Sequence, residues 1–172
     1  LYVSLHEDPT GFPGTGFANE VGDDKGLGYT VNVPFPFYVD DLTYLEAVNQ
    51  IVLPIVRQYK PQFILVSAGF DGHYTDPIGE LSLSTFCYVE TFEKILTLAS
   101  QLCDGKLVAV LEGGYSREFL GIMTSAVIAK MSGLPYSIQD RQLTAPSRIR
   151  KRAEEILNEV KNIQSSFWDL KS

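Results

Sequence analysis

Short apolar runs alternate with longer segments of helical periodicity along the chain. The apolar runs predict buried β-strands at residues 1–5, 63–68 and 106–111, and residues 29–33 are predicted to form a further strand that ends at Pro34. Apolar positions spaced three or four residues apart predict helices at residues 40–60, 82–102, 116–131 and 147–165. Strands that alternate with helices indicate right-handed crossovers, so we predict an α/β fold with a parallel β-sheet flanked by helices.

Polar residues and a proline predict where two of these helices begin and bend. Asp40 or Asp41 is expected to cap the first helix, and Ser82 or Ser84 the second, because such side chains accept hydrogen bonds from the first helical turn. Pro54 lies inside the first helix and is expected to kink or strain it.

The length of 172 residues suits one domain. Residues 146–172 are expected to form its C-terminal helix and tail, with Trp168 docking the tail. The segment Leu1–Leu5 is strand-like from the first position and has no initiating Met. We therefore expect the chain, 1–172, to be the C-terminal part of a longer single domain.

Composition argues against several functional classes. A net charge of −7 disfavours a nucleic-acid-binding surface, which needs clustered Lys and Arg, and the basic run at 148–152 is interpreted as a solvated helix start. Cys87 and Cys103 lack the spacing of a zinc site and are expected to be free, buried thiols. The sequence shows no signal peptide and no apolar run of about 20 residues, so we expect a cytoplasmic protein that does not enter a membrane.

Three loops are expected to meet at the carboxyl edge of the sheet, where parallel α/β proteins gather their functional groups. They follow Leu5, Ala68 and Leu111. The first loop is long and rich in Gly and Pro, and its aromatic residues Phe12 and Phe17 predict that it is ordered.

The loop after Ala68 carries three candidate metal ligands or proton carriers. Asp71 is either a carboxylate that binds a metal or orients a base, or a turn cap that bonds its own backbone. His73 is interpreted as an exposed loop residue, and Asp76, which precedes Pro77, as a turn residue.

The loop after Leu111 reads Glu112-Gly113-Gly114-Tyr115 and is predicted to turn directly into a helix. The Tyr115 hydroxyl either packs over the glycine turn or donates a hydrogen bond to a developing oxyanion. An anion or nucleotide site at the helix N-terminus is a third interpretation, although the segment lacks a Walker lysine.

Six motifs occur in one order along residues 1–135. They are Ser4-Leu5-His6, Gly11-Phe12-Pro13-Gly14-Thr15-Gly16, Tyr29-Thr30-Val31-Asn32-Val33-Pro34, Ser67-Ala68-Gly69-Phe70-Asp71, Asp76-Pro77 and Leu111-Glu112-Gly113-Gly114-Tyr115. The ordered set resembles the C-terminal part of a zinc-dependent histone deacetylase-like amidohydrolase. The last motif is similar to that of class II and prokaryotic members, including acetoin-utilisation-type and acetylpolyamine deacetylases.

The resemblance implies the arginase/deacetylase fold and hydrolysis of an acetyl amide on a lysine or an amine. It also implies that Asp71 is a zinc ligand and that Tyr115 is the tyrosine that stabilises the transition state. The residues implied to bind the acyl group are Phe12 at the tunnel wall, Ile78 at its rim, and Gly113 and Gly114 at the pocket floor.

The same resemblance implies monovalent-cation sites. Ser4 and the Leu5 carbonyl match a site near the zinc, and Tyr29 matches a second, more distant one. K⁺ is the expected ion, since a hard cation prefers oxygen ligands. Zinc is the expected catalytic metal, with Fe²⁺ as the alternative.

The chain departs from the family pattern at two points. Its sole Asp-x-His is Asp71-Gly72-His73, whose carboxylate is already assigned, and its two histidines, His6 and His73, are far apart in the sequence. The other ligands and the His-His base are expected in the upstream half, without which this chain is expected to be inactive. The alternative is a non-catalytic α/β partner or regulatory module derived from the same fold, and a homo-oligomer stays open.

Overall fold

The computed structural model describes residues 1–170 and has the expected α/β organisation. Within these residues the strands are β1 (Tyr2–Glu7), β2 (Thr30–Phe35), β3 (Ile64–Ala68) and β4 (Leu107–Leu111). The α-helices are α1 (Asp41–Ala47), α2 (Leu53–Tyr59), α3 (Thr85–Cys103), α4 (Leu120–Met131) and α5 (Ser147–Gln164). The final two positions of the predicted tail, 171 and 172, lie outside the described residues.

The strands form two parallel pairs, β1 with β2 and β3 with β4. Tyr2 lies opposite Thr30 in the first pair, and Ile64 lies opposite Leu107 in the second. The parallel direction is as predicted, but the single sheet is not formed within residues 1–170, where the two pairs share no strand-to-strand hydrogen bonds. Each pair therefore leaves its outer strand edges without a partner strand in this part of the protein.

Strand β2 and the surrounding helices form the centre of one hydrophobic core. Val31, Val33 and Phe35 of β2 have no exposed surface, and α5 packs along this strand. Full burial of each such side chain contributes about 1.5–3 kcal/mol relative to exposure. Other members of the core are Ile51, Ile55, Leu83, Phe92, Met123 and Val160.

The segment from α1 to α2 shows how Pro54 is accommodated. Asp40 caps α1 by accepting a hydrogen bond of 3.2 Å from the Thr43 N–H. A π-helical turn, Val48–Val52, then separates α1 from α2, and Pro54 lies in the first turn of α2. The predicted distortion is confirmed, and it arises because Pro54 lacks the N–H that an uninterrupted α-helix needs.

Strand β2 continues through Pro34, where the sequence predicted that it would end. The Thr30 N–H donates to the Val21 carbonyl, on the side of β2 away from β1. Because backbone groups alternate along a strand, the Pro34 nitrogen lies on that same side. The missing N–H of Pro34 therefore removes no hydrogen bond between β1 and β2.

One face of the β3–β4 pair is exposed, although its apolar run predicted burial on both faces. Leu65, Val108 and Val110 keep 66%, 45% and 47% of their surface accessible. No element within residues 1–170 covers them, so an apolar patch remains on this face.

Two other expectations concern the cysteines and the membrane. Cys87 and Cys103 are buried and unpaired, as predicted. Among the helices of residues 1–170, none is at once long and apolar enough to cross a membrane.

Candidate active site

The Asp71 carboxylate lies where the loops after β3 and β4 come together. The Phe70 N–H donates to the Gly113 carbonyl at 2.9 Å, which joins the two loops. A Cβ atom on Gly113 would lie 2.6 Å from Asp71 Oδ1, and one on Gly69 would lie 2.7 Å from the same oxygen. Glycine at both positions therefore leaves the space that the carboxylate occupies.

The sequence left two roles open for Asp71: binding a metal or orienting a base, and capping a turn. No hydrogen bond within residues 1–170 ends on the Asp71 carboxylate. The turn-capping role belongs to Asp76, whose Oδ1 accepts from the Ile78 N–H at 2.9 Å and the Gly79 N–H at 3.2 Å. Asp71 thus retains free acceptor capacity, while Asp76 has the turn role that its sequence context predicted.

Asp76 also fixes the loop that bears Tyr115. Its Oδ2 atom accepts a hydrogen bond of 2.7 Å from the Tyr115 N–H. One carboxylate therefore holds both Ile78 and Tyr115, whose side chains are 64% and 52% exposed. Both side chains are accessible to a ligand at this edge of the protein.

Helix α4 starts later than predicted, at Leu120 instead of near Ser116. The Ser116 hydroxyl lies 2.7 Å from the Thr75 hydroxyl and accepts from the Phe119 N–H at 3.4 Å. These contacts hold residues 116–119 in a turn that sequence periodicity did not reveal. Gly113 and Gly114 are therefore separated from the helix N-terminus, which removes the geometric basis for a nucleotide site there.

Hydrogen bonds from side chains hold the start and the middle of the loop after β1. His6 Nδ1 lies 2.7 Å from Ser4 Oγ, and His6 Nε2 lies 2.9 Å from the Gly16 carbonyl oxygen. The Glu20 carboxylate accepts from the Gly16 N–H at 3.1 Å. This framework presents Phe12 with 85% of its surface exposed.

Glu7 connects this loop to the Asp76 loop, a role that its sequence context does not predict. Its Oε2 atom accepts a hydrogen bond of 2.8 Å from the Glu80 N–H, two residues beyond Ile78. The only available signal was the position of Glu7 next to the end of a strand. Through Glu7 and Asp76, the structure links the three loops that were predicted to meet.

The residues predicted to bind monovalent cations lie on β1 and just before β2. The Tyr2 N–H donates to the Tyr29 carbonyl, and backbone alternation directs the Leu5 carbonyl toward the opposite edge of β1. The Tyr29 ring packs edge-on against Tyr59 and Trp168, with centroid distances of 6.0 and 5.7 Å. The cation-binding roles of Ser4, Leu5 and Tyr29 stay predictions.

Trp168 docks the tail, as expected. Its indole Nε1–H donates to the Gly28 carbonyl at 2.9 Å. The neighbouring Phe167 ring occupies the space that a Cβ atom on Gly28 would need, at 2.6 Å. Phe167 and Trp168 thus fasten the C-terminal segment to Gly28, just before β2.

His73 is buried, and its prediction as an exposed loop residue was wrong. Its side chain has no accessible surface and lies 3.0 Å from Asp140 through the Nε2–Oδ2 contact. The ring stacks on Phe119 at a centroid distance of 4.8 Å. The local sequence gave no sign of this burial, because Asp140 lies 67 residues further along the chain.

The Asp140 carboxylate is the acceptor at the centre of this buried cluster. It accepts from the Thr85 N–H at 2.7 Å and the Tyr74 hydroxyl at 2.9 Å. Burial by itself would raise the pKa of Asp140, but hydrogen bonds from His73 and Thr85 outweigh it and lower the pKa to about 2. Asp140 is therefore an anion that fixes the start of α3 and the loop around His73.

Asp71 is the residue of this site that was predicted to bind a catalytic metal. Within residues 1–170, no three side chains of His, Cys, Asp or Glu converge into a metal-binding group. The free Asp71 carboxylate suits zinc chemically, yet a catalytic zinc takes about three protein ligands and a water molecule. The described residues therefore suit one part of a zinc site and not the whole site.

Comparison with known proteins identifies the family. The family model described as the histone deacetylase domain matches residues 1–131. The chain therefore belongs to the histone deacetylase domain family, as its motifs indicated.

Several relatives cover most of this chain. It is 40% identical to a probable deacetylase of Archaeoglobus fulgidus, over 98% of this chain and 49% of that protein. It is 34% identical to a histone deacetylase-like amidohydrolase of Pseudomonas aeruginosa, over 81% of this chain and 37% of that protein. The chain thus spans about half or less of the length of these relatives.

Solved structures confirm the deacetylase fold. The HDA15 HD domain has a TM-score of 0.81 and 36% identity, covering 98% of this chain and 44% of that structure. The histone deacetylase Clr3 has a TM-score of 0.85 and 33% identity, covering 100% of this chain and 28% of that structure. The parallel strands flanked by helices are accordingly part of a larger architecture in both of those proteins.

Proposed function

We propose that the protein to which this chain belongs hydrolyses the acetyl amide bond of acetylated lysine or another acetylated amine. The observation that carries the proposal is the Asp71 carboxylate, which accepts no hydrogen bond within residues 1–170 and adjoins Gly113, two positions before Tyr115. A free carboxylate beside a tyrosine loop suits metal-assisted amide hydrolysis. Family membership and the names of the relatives support this reaction class.

Asp71 is proposed as one ligand of a zinc ion, with Fe²⁺ as the alternative. A bound metal of this kind polarises an amide carbonyl and acidifies water. The Tyr115 hydroxyl donates a hydrogen bond to the oxyanion that forms when water attacks the carbonyl carbon. The Asp76 contact to the Tyr115 backbone holds this loop in place during the reaction.

The acyl group is proposed to lie between Phe12 and Ile78. Both side chains are exposed and apolar, so a ligand's alkyl chain would gain contact by covering them. Gly113 and Gly114 form the floor. A Cβ atom on Gly114 would lie 2.9 Å from Leu120 Cδ1, so a larger residue has no room there.

A K⁺ ion is proposed at Ser4 and the Leu5 carbonyl, and a second one near Tyr29. Oxygen donors of this type suit a hard monovalent cation. The proposed role of the first ion is structural support of β1, the strand that also contains His6.

Catalysis is proposed to require the remainder of the enzyme domain. Both histidines of this chain are already engaged: His6 contacts Ser4 and Gly16, and His73 contacts Thr75 and Asp140. Neither is available as a general base for water. The base and the other metal ligands must therefore come from another part of the protein, and the isolated chain is expected to be inactive.

Substitution of Tyr115 in the full-length protein tests the proposed reaction. We expect Tyr115→Phe to lower kcat on acetylated lysine or acetylated amine by about 100-fold or more, the usual effect of losing an oxyanion donor. Zinc content should stay near that of the unsubstituted protein, because Tyr115 is not a ligand. Tyr136→Phe is the matched control, since Tyr136 is exposed and lies outside the loop cluster. Hydrolysis that is unchanged in Tyr115→Phe would overturn the assignment.

The second candidate function is a non-catalytic α/β partner or regulatory module. The observation in its favour is that, within residues 1–170, no three side chains of His, Cys, Asp or Glu converge into a metal-binding group. Metal analysis of the full-length protein separates the two functions. About one zinc ion per chain supports the enzyme, whereas a metal-free protein without amide hydrolysis supports the module.

A further inference from the structure

Hydrogen bonds connect Asp140 to Ser116 through two intervening side chains. Asp140 Oδ2 lies 3.0 Å from His73 Nε2, and His73 Nδ1 lies 2.8 Å from Thr75 Oγ1. Thr75 Oγ1 in turn lies 2.7 Å from Ser116 Oγ. We call these four side chains the Asp140–Ser116 chain. None of them has a role in the reaction described above.

Backbone N–H donors fix the direction of every hydrogen bond in the Asp140–Ser116 chain. The Thr75 N–H donates to His73 Nδ1 at 3.3 Å, so Nδ1 is an acceptor and Nε2 carries the hydrogen that Asp140 accepts. The Phe119 N–H donates to Ser116 Oγ. The Ser116 hydroxyl is then free to donate to Thr75, and the Thr75 hydroxyl to donate to His73. Every link therefore has one donor and one acceptor.

Burial makes each link costly to break. The His73 and Asp140 side chains have no accessible surface, and Ser116 keeps only 6%. A buried polar group that loses its partner costs about 1–3 kcal/mol, because no water replaces the lost hydrogen bond. The Asp140–Ser116 chain thus has one favoured arrangement of its hydrogen bonds. A set of side chains that fixes the relative position of two loops requires this property.

Two members of the Asp140–Ser116 chain, His73 and Ser116, adjoin the residues that matter for the proposed reaction. His73 lies two positions after Asp71, and Ser116 directly follows Tyr115. Asp140 lies in the link before α5, beyond the residues 1–131 that match the family model. A segment outside the matched part of the chain thereby contacts the loops of the candidate active site.

We propose that the Asp140–Ser116 chain is a positioning device that sets the Tyr115 loop relative to the Asp71 loop. The proposal rests on the proposed deacetylase function. The four side chains act through Tyr115 and Asp71 and do not touch the substrate. Their loss therefore affects the transition state, where the position of Tyr115 matters, more than it affects substrate binding.

Thr75 is the best position for the test, because an isosteric and a conservative substitution are both available. In the full-length protein, Thr75→Val removes the hydroxyl from the middle of the chain, and Thr75→Ser keeps it. We expect Thr75→Val to lower kcat by about 10- to 100-fold, the scale of a small misplacement, with KM within about twofold. Thr75→Ser should restore most of kcat. A purely structural Thr75 would instead change stability while kcat stayed near the unsubstituted value.

Thr97→Val is the matched control for removing a threonine hydroxyl. Thr97 is exposed on α3, and within residues 1–170 its side chain bonds only the Glu93 carbonyl of its own helix. Thr97→Val should therefore leave kcat unchanged. If Thr75→Val fails to fold, Ser116→Ala breaks the next link with a smaller change in shape. The positioning role would be overturned if folded Thr75→Val and Thr75→Ser had the same kcat, whether unchanged or lowered.

Amide hydrogen exchange separates this proposal from the proposed function. Exchange of residues 113–119 should be faster in Thr75→Val than in Thr75→Ser, whatever the reaction of the protein. If the full-length protein hydrolyses no acetyl amide, the proposed function fails, and the exchange difference alone decides whether the loop is positioned. Identical exchange in the two variants would refute the positioning role in either case.

Discussion

Asp76 Oδ2 accepts a hydrogen bond of 2.7 Å from the Tyr115 N–H, and this contact joins two loops that are 39 positions apart in the sequence. The other oxygen of the same carboxylate caps the turn that contains Ile78. A turn residue with an ordinary local role therefore also fixes the backbone of the proposed catalytic tyrosine.

Replacement of Asp76 by Asn should impair both of these functions. Asn has an NH₂ group in place of one carboxylate oxygen. This donor would oppose either the Tyr115 N–H or the N–H groups of the turn. We expect a loss of about 1–3 kcal/mol in the free energy of unfolding, together with lower kcat, measured by urea denaturation and steady-state kinetics of the full-length protein. Asp104→Asn, at a side chain that is 91% exposed, is the control and should match the unsubstituted protein.

Addition of one methyl group at Gly113 should displace Asp71. The new Cβ atom would lie 2.6 Å from Asp71 Oδ1, closer than any real contact of this kind. We expect Gly113→Ala to lower both the bound zinc and the turnover of the full-length protein, as measured by metal analysis and by deacetylation.

The control for this substitution is Gly121→Ala in α4. Apart from the adjacent residues and the backbone of α4, no atom within residues 1–170 lies within 4 Å of the Cβ position at Gly121, so the added methyl group meets open space. Alanine also favours a helix over glycine by about 1 kcal/mol. Full zinc content and turnover in Gly113→Ala would contradict the placement of Asp71 in the metal site.

Asp140 should make part of the stability dependent on acid pH. Its pKa is lowered to about 2, below the value of about 3.9 for an ordinary Asp. Because the pKa is depressed in the folded state, the stabilisation is present above about pH 4 and is lost as the pH falls from about 4 to 2.

Urea denaturation of the full-length protein at several pH values measures this contribution. Asp140→Asn should be less stable at pH 7, and its stability should fall less steeply between about pH 4 and 2. If the stability of Asp140→Asn fell as steeply with decreasing pH as that of the unsubstituted protein, Asp140 would not contribute in this way.

The exposed face of the β3–β4 pair should make the isolated chain associate with itself or with the rest of its domain. Leu65, Val108 and Val110 present neighbouring apolar side chains there. We expect residues 1–172 alone to elute as oligomers or aggregates in size-exclusion chromatography, and Val108→Lys to shift the chain toward the monomer. Leu134→Lys, which changes an exposed leucine elsewhere, should leave the profile unaltered. A monomer with a cooperative thermal transition in the unsubstituted chain would contradict this prediction.

Removal of metal should abolish turnover of the full-length protein without unfolding the Asp140 cluster. Dialysis against a chelator should eliminate acetyl amide hydrolysis, and added Zn²⁺ or Fe²⁺ should restore it. The far-ultraviolet circular dichroism should change little, because the contacts of Asp140 and Asp76 are hydrogen bonds between protein atoms. Turnover that survives complete metal removal would exclude the proposed mechanism.

The sequence alone determined the features that depend on neighbouring residues. Strand positions followed from β-branched apolar runs, and the caps at Asp40 and Ser84 followed from side chains that bond the next helical turn. The three loops at strand ends, and the presence of Asp71 and Tyr115 in two of them, also followed from the order of elements. The ordered motifs then indicated the family, which the comparisons confirmed.

Only the tertiary structure decided which loop residues are buried and what they contact. The sequence predicts an exposed His73, because its partner, Asp140, lies in a link whose docking no local pattern encodes. The start of α4 moved to Leu120 because Thr75 bonds Ser116 across the loops. Contacts between distant residues form only after the elements pack, so the residues that hold this site together became visible only in the folded chain.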